Sequence, residues 1–416
     1  MGDEVEAPQN IGPYILLEKV GSGAFATVYK ALHSVTNITV ALKVIAKKNL
    51  KNQNEFQLLQ REVNLMKSMD HPFIASFYEV RTDDKNFYIA IEFVENGNLL
   101  DYVNNQRGLS EAQAKKIFYQ LVSVLDYLHT EKHVAHRDLK AENVLLDRNF
   151  NIRLCDFGLS KAFSTDDPFL KTTCGSPAYV APEVIKEKPY TSAADIWSAG
   201  VLLYAMVCAT LPFNGDNITL MLQQIIRWNP PIPNSLSPEL RALITRILIK
   251  EPRSRITINE IKGHPWLAEY EDSRLTSEDS GLLGSLKVME VQALDTGVMS
   301  EMRIIGYDTG GLLQEVNSYQ VTERTAAYKI LKREKTIDEI NAWQKSREMR
   351  CKQLQNTRLP MLYENAHSKS VDGRAQNGHN KNLFNKFEPG GKFRTIQTRV
   401  RKKVNEPKNP IILTPI

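Results

Sequence analysis

HRDLKAEN, His136 to Asn143, is the stretch on which the reading of this 416-residue chain turns. It gathers an aspartate, a lysine and an asparagine, and Asp156-Phe157-Gly158 begins thirteen residues after Asn143. Asp138 can accept or orient the proton of an attacking hydroxyl, and Lys140 can neutralise charge on a phosphoryl group in transfer. Asn143 and Asp156 offer hard oxygen atoms of the kind Mg2+ takes alongside phosphate oxygens. Each residue also has an ordinary use, as a capping Asp, a solvated Lys or a turn Asn. Their joint occurrence in this order by chance is negligible.

Upstream, GSGAFATV (Gly21 to Val28) lies between two strand-like runs. A glycine-rich turn lets backbone N–H groups approach phosphates that side chains would hold away. Taken alone it also fits an ordinary hairpin, and Ala26 stands where a third glycine would complete GxGxxGxV. Fifteen residues after Val28 comes Lys43, in the otherwise apolar VALKVI. Two readings are open for it: an edge lysine extending to solvent, or a buried ammonium that needs a counter-charge. Glu62, in the helical segment that follows, is placed to supply that charge and to form a Lys–Glu pair holding the α- and β-phosphates.

The organisation around these motifs changes near Ser110. From Tyr14 to about Arg107 the runs YILLEKV, TVYKAL, TVALKVI, ASFYEV and NFYIAIEFV read as five strands. They are interrupted by one helix carrying Phe56, Leu59, Val63 and Met66 on one face. Beyond Ser110, which caps a helix with Ile117, Leu121, Val124 and Leu128 in a stripe, the pattern is mostly helical. A β-rich first lobe and a helical second lobe follow from this. With 42% hydrophobic residues the chain can bury a large core, which excludes disorder throughout. Four cysteines without a CxxC pair argue against a zinc ribbon or a disulfide scaffold and for a reducing compartment. The acidic start MGDEVEAPQN is not expected to act as a signal peptide. The longest apolar run, AGVLLYAMVCATLPF, is shorter than the ~20 residues of a spanning helix.

Over residues 14–267 the sequence resembles the eukaryotic protein kinases, and within them the calcium/calmodulin-dependent and AMP-activated group. The resemblance rests on HRDLKAEN, DFG, Ala181-Pro182-Glu183, DIWSAG with Asp195, RSRIT with Arg255, LKTTCGSPAYVAPEVI and the terminal HPW. Lys140 two residues after Asp138, and GSP at Gly175 to Pro177, are the Ser/Thr rather than the Tyr arrangement. The resemblance implies an α+β, bilobal fold and transfer of the γ-phosphoryl group of ATP to Ser/Thr hydroxyls, with ATP and Mg2+ as cofactors. It implies that Asp138, Lys140, Lys43 and Glu62 are catalytic and that Asn143 and Asp156 hold metal. The nucleotide site it implies comprises Val20, Gly21, Ser22, Gly23, Ala24, Phe25, Ala26, Thr27, Val28, Ala41, Lys43, Glu92, Val94 and Leu145, with Ile91 as gatekeeper. It further implies a stack of Phe77, Met66, Phe157 and His136 between the lobes. Asp195 is expected to steady the catalytic loop, and Arg255 to pair with Glu183.

Between DFG and APE lie 22 polar residues, Leu159 to Val180. Thr172 resembles the place where related kinases take an activating phosphate, and its phosphorylation, with Arg137 as the guanidinium partner, is expected to order them; Thr173, or a loop active without modification, is the alternative. The resemblance implies a preference for a basic residue before the acceptor, for which Glu142 and Asp101 are in place; Asn98 replaces the acidic residue usual after the hinge and Ala205 one seen in strongly basophilic relatives, so the preference is at most moderate. Residues 1–13 form an N-terminal segment, 14–267 the kinase domain and 268–295 an acidic linker. Residues 296–335 are similar to a ubiquitin-associated domain, through Met302, Ile305, Gly306, Tyr307, Leu312, Leu313, Val316, Ala326, Ala327, Tyr328, Ile330 and Leu331. The resemblance implies packing on the kinase domain rather than ubiquitin binding.

Residues 336–416 read as a basic, mostly disordered tail. From 346 onward the chain has 15 Lys+Arg and 5 Asp+Glu, a net of +10, so the +5 of the whole leaves −5 for residues 1–345. The tail is either a solvated arm or, through Arg399, Arg401, Lys402 and Lys403, a contact for anionic membrane or nucleic acid. Expected partners are protein substrates and an upstream activating kinase, with an anionic membrane surface only under the second reading of the tail, and no sequence-specific nucleic-acid binding. The expected location is cytoplasmic, with a nuclear pool allowed. The alternative function is a catalytically weak kinase-fold scaffold acting through the C-terminal helices and the tail.

Overall fold

The computed structural model describes residues 10–23, 26–50, 53–157, 161–162, 177–188, 191–214, 217–267 and 293–368. Ala24, Phe25, Gly158, Thr172, Thr173, Cys174, most of the expected linker, residues 1–9 and the tail beyond Ser368 lie outside them. Residues up to Ala342 form one compact unit, and a second begins at Trp343.

The alternating runs become an antiparallel sheet. Its strands are β1 (Asn10–Ile11), β2 (Tyr14–Ser22), β3 (Ala26–His33), β4 (Ile38–Ala46), β5 (Phe77–Thr82) and β6 (Asn86–Glu92), in the order β1-β2-β3-β4-β6-β5. The five expected strands are present, and the two-residue β1 extends the edge by pairing Ile11 with Tyr14. Helix α1 (Gln53–Ser68) lies against the sheet because Leu59 and Val63 fall on one face and pack with Ile45, Phe77 and Ile89.

The second lobe is built on α2 (Leu99–Gln106), α3 (Glu111–Asp126), α4 (Pro182–Ile185), α5 (Ser192–Cys208), α6 (Ile218–Arg227), α7 (Pro238–Ile247) and α8 (Ile258–Lys262). Ser110 and Gln113 close a reciprocal capping box at the start of α3, so that its apolar stripe enters the core in register. Helix α5, which holds most of the longest apolar run, is buried all round between α3 and α7. It is a core helix, and no described helix is long and apolar enough to cross a membrane. Short strands β7 (Val134–Ala135), β8 (Val144–Leu146), β9 (Ile152–Leu154) and β10 (Lys161–Ala162) pair as β8 with β9 and β7 with β10. They bring the segments after β7 and β9 to one face.

Three helices follow: α9 (Thr296–Ile304), α10 (Leu312–Asn317) and α11 (Glu323–Ser368). Gly306, at φ 95°, ends α9, with Tyr307 N–H donating to Met302 O at 2.9 Å; only glycine enters that region without strain. Val298, Met302, Leu312, Ala327, Tyr328 and Leu331 form the small core of this helical module. Ala326 and Ile330 of α11 pack instead with Tyr14, Leu42 and Tyr88 of the sheet. The module therefore shares a core with the first lobe. Residues 336–368, expected within a mostly disordered tail, are helical, because α11 does not stop at residue 335. Ile337 and Ile340 continue its buried face.

Candidate active site

Asp195 shapes the loop His136–Asn143. It sits in the first turn of α5, fully buried, and accepts from the backbone N–H of His136 and of Arg137 at 3.0 Å each. His129, carried on a π-helical turn (Tyr127–Glu131) that continues α3, lies 2.7 Å from the same carboxylate. Burial pushes the Asp195 carboxyl up, but the His129 and backbone hydrogen bonds outweigh it and hold its pKa below the usual range. Arg137 adopts φ 72°, a backbone state that non-glycine residues rarely enter and that costs ~1–3 kcal/mol. The two bonds to Asp195 hold it there.

Beyond this bend, Lys140 Nζ lies 3.2 Å from Asp138 Oδ2. Asn143 Nδ2 donates to Asp138 O at 2.8 Å and to its Oδ2 at 3.2 Å, which leaves the Asn143 amide oxygen as the acceptor end. Asp138, Lys140 and Asn143 thus form one cluster, oriented from within the loop. Cys155 N–H donates to Asn143 O at 2.9 Å and ties the segment after β9 to this cluster. Asp156 follows with φ 63° and an exposed side chain. Phe157 turns inward against His136, ring centroids 5.1 Å apart. Met66 packs against the cores of both lobes, Phe77 lies in that of the first and Phe157 in that of the second. Burial, aided by the Asp156 charge, pushes the Cys155 thiol up to about 12, which makes it an inert filler.

Lys43 is registered between Val28 of β3 and Ile89 of β6, and its ammonium lies 3.1 Å from Glu62 Oε1. Burial would lower its pKa, but the charges of Glu62 and Asp156 win and raise it, so the ammonium persists. Of the two readings of Lys43, the structure selects the paired one. The β2–β3 hairpin carries Val20, Gly21, Ser22 and Gly23 on one arm and Ala26, Thr27 and Val28 on the other, with Gly23 N–H donating to Ala26 O at 2.8 Å. Ala41 and Val94 are buried, and Val28 and Leu145 half-buried. Glu92 N–H is already committed to Ser76 O at 2.8 Å, so a bond from Glu92 to a nucleotide rests on its carbonyl.

The donor set fits Mg2+. Among the described residues no group of three or more His, Cys, Asp or Glu gathers to cage a cation. One carboxylate and one amide oxygen suit an ion that takes its remaining ligands from phosphates and water.

The resemblance puts Glu92 in the nucleotide site and gives no role to its carboxylate. That carboxylate is buried between two guanidiniums: Arg153 Nε at 2.6 Å from Oε1 and an Arg333 nitrogen at 2.7 Å from Oε2. Arg153 also reaches Asp147 at 3.2 Å. Burial pushes Glu92 up, and the two arginines more than reverse it, so its pKa lies below the ordinary carboxylate value. Arg333 NH2 further donates to Pro72 O and Ile74 O at 2.9 Å each. The one available signal was Arg153 inside the apolar strand IRL; Arg333, in KREK, reads as a solvated helical charge. Elsewhere Arg255 grips Glu183 at 2.6 and 2.9 Å, as the resemblance implied. The Thr172 partner expected for Arg137 lies outside the described residues.

The family model described as protein kinase domain matches residues 14–267. The chain is 38% identical over 318 residues to the SNF1-related protein kinase catalytic subunit alpha KIN12 of Arabidopsis thaliana, covering 76% of this chain and 63% of that one. It is 42% identical over 261 residues to the serine/threonine-protein kinase SIK2 of Gallus gallus, covering 62% and 32%. It is 36% identical over 316 residues to the SNF1-like protein kinase ssp2 of Schizosaccharomyces pombe, covering 72% and 54%. The chain thus spans from about a third to just under two thirds of the length of these relatives.

Proposed function

The chain belongs to the protein kinase family, and from that premise we propose that it transfers the γ-phosphoryl group of ATP to serine or threonine hydroxyls of protein substrates. The observation that carries the reading is the set of Lys43–Glu62, Asp138–Lys140 and Asn143–Asp138, held by bonds within the fold, with Asp156 carried on the segment that Cys155 ties to Asn143. The family uses ATP and a divalent metal in general; Mg2+ is the ion this donor set suits.

Asp138 accepts or orients the hydroxyl proton, and Lys140 beside it offsets negative charge developing on the transferred group. Lys43, kept charged by Glu62, holds the α- and β-phosphates, and the Gly21–Val28 hairpin covers them. Asn143 and Asp156 would hold Mg2+, which supplies neutralisation of the phosphate oxygens. The protein forms no covalent bond to the phosphoryl group in this scheme, so positioning and charge compensation supply the acceleration.

Activation through phosphorylation of Thr172, paired with Arg137, belongs to this proposal, as does docking of the 296–335 region as an intramolecular regulator. The sharing of Ala326 and Ile330 with the sheet core supports the docking. Incubating the full chain with labelled ATP, Mg2+ and a peptide with a basic residue before its serine tests the activity. Asp138→Ala should lower kcat at least ~100-fold, with the melting temperature nearly unchanged. Equal turnover by that variant refutes the assignment. Thr172→Ala should fall to the rate of the unphosphorylated wild type, and full activity of that variant after upstream phosphorylation would remove the site.

A further inference from the structure

Where α11 meets the end of α1 and the connection into β5 lies a cavity of about 370 Å3. Its wall carries Lys67 of α1, Lys132 from the turn after α3, and Lys329 and Lys332 of α11, against one lining carboxylate, Asp70. None of the groups assigned to phosphoryl transfer lines it. Four ammonium groups around so small a space are under-compensated. Among the described residues, the ion pairs of these four reduce to Lys332–Asp70 at 3.7 Å. Lys329 faces the Phe77 ring at 5.8 Å and Lys132 the Tyr127 ring at 5.5 Å; burial lowers the Lys132 pKa, and the Glu131 and Asp70 charges offset this only in part.

We propose that this cavity is a binding site for a small phosphate-bearing anion, held by Lys67, Lys132, Lys329 and Lys332. Lysine binds phosphate as a compact point charge, and several lysines from different elements surround such a group without needing a planar partner. The volume suits a small molecule and falls at the low end of ligand cavities. Met69, Pro72, Val316 and Tyr328 leave apolar wall for an organic portion. The state of Lys329 agrees. Burial lowers its pKa; Asp70 offsets this only in part, and the neighbouring Lys67 and Lys332 charges lower it further. An anion there relieves repulsion between lysines of the kinase lobes and lysines of α11, so it should bind and stabilise the docked module together.

The test is calorimetric titration of the full chain with inorganic pyrophosphate, without Mg2+ and with EDTA, beside a thermal melt. One saturable site with a Kd of about 1 mM or tighter is expected, with a rise in melting temperature. Lys67→Gln with Lys329→Gln should weaken binding at least ~10-fold and abolish the rise. Lys329→Arg, which keeps the charge, should retain binding and shows that the site survives substitution. Lys43→Met should leave pyrophosphate binding unchanged, which separates this cavity from the nucleotide site. Absence of saturable binding, equal binding by the double Gln variant, or loss of binding in Lys43→Met overturns the proposal.

Discussion

Replacing Arg333 by Met removes a cation that joins α11 to Glu92, the residue closing β6. The guanidinium contacts Glu92 Oε2 at 2.7 Å and donates to the carbonyls of Pro72 and Ile74 at 2.9 Å each, and both side chains of the pair are nearly inaccessible. Removing one partner of a buried pair costs ~3–5 kcal/mol, because the other charge stays buried. Here Glu92 keeps Arg153 at 2.6 Å and the Ser76 N–H at 3.1 Å, so the lower figure applies, about 3 kcal/mol. At roughly 2–4 °C per kcal/mol, the melting temperature should fall by about 6–12 °C.

The same variant has a pH signature. Glu92 in the fold titrates below its ordinary value of 4.5, so the stability it contributes is present above 4.5 and is lost as pH falls through the folded value. Without Arg333 the depression shrinks, and the acid loss of stability becomes shallower. Urea denaturation followed by circular dichroism at pH 7 and pH 4 measures both effects. A loss below about 1 kcal/mol at pH 7, with an unchanged acid slope, would refute the view that this pair holds α11 to the kinase lobes.

Two further outcomes are expected. Gly200→Ala in α5 should destabilise by about 1–3 kcal/mol despite the better helix propensity of alanine; the new Cβ would overlap Ile247 Cγ2 and approach Leu248 Cδ2 to 3.1 Å, and both side chains are buried. Chemical denaturation reads it, and a variant as stable as the wild type would show that α7 can shift. His71 is the second case: burial, then Arg333 and Arg153, lower its pKa from 6.5 to about 3, and its Nδ1 accepts the Phe73 N–H at 3.2 Å. The unfolded chain takes up a proton below 6.5 that the folded one refuses, so stability falls with pH from 6.5 toward 3, by up to ~1.4 kcal/mol per pH unit. His71→Gln should flatten that slope, and an unchanged slope would show that other groups carry it.

The candidate site was legible in the sequence because it is local. Asp138, Lys140 and Asn143 lie within one bend, and the alternation and stripes of β2–β6 and α3 report which faces are buried. Lys43 was half legible: an ammonium in an apolar strand reads equally as a surface lysine until Glu62 of α1 is seen 3.1 Å away. Local pattern misjudged the length of α11, whose residues 336–368 read as tail, and gave no sign that Arg333, in a solvated-looking run of charges, turns inward. Composition, periodicity and motif order, being properties of neighbouring residues, determined the two lobes, the candidate reacting groups and the separation of a +10 tail from a −5 remainder. Only the tertiary structure decided that Glu92 is shared by Arg153 and Arg333, and that Lys67, Lys132, Lys329 and Lys332 converge on one cavity. Both depend on charges separated by many turns of chain, and no local periodicity encodes which distant elements will exclude water together.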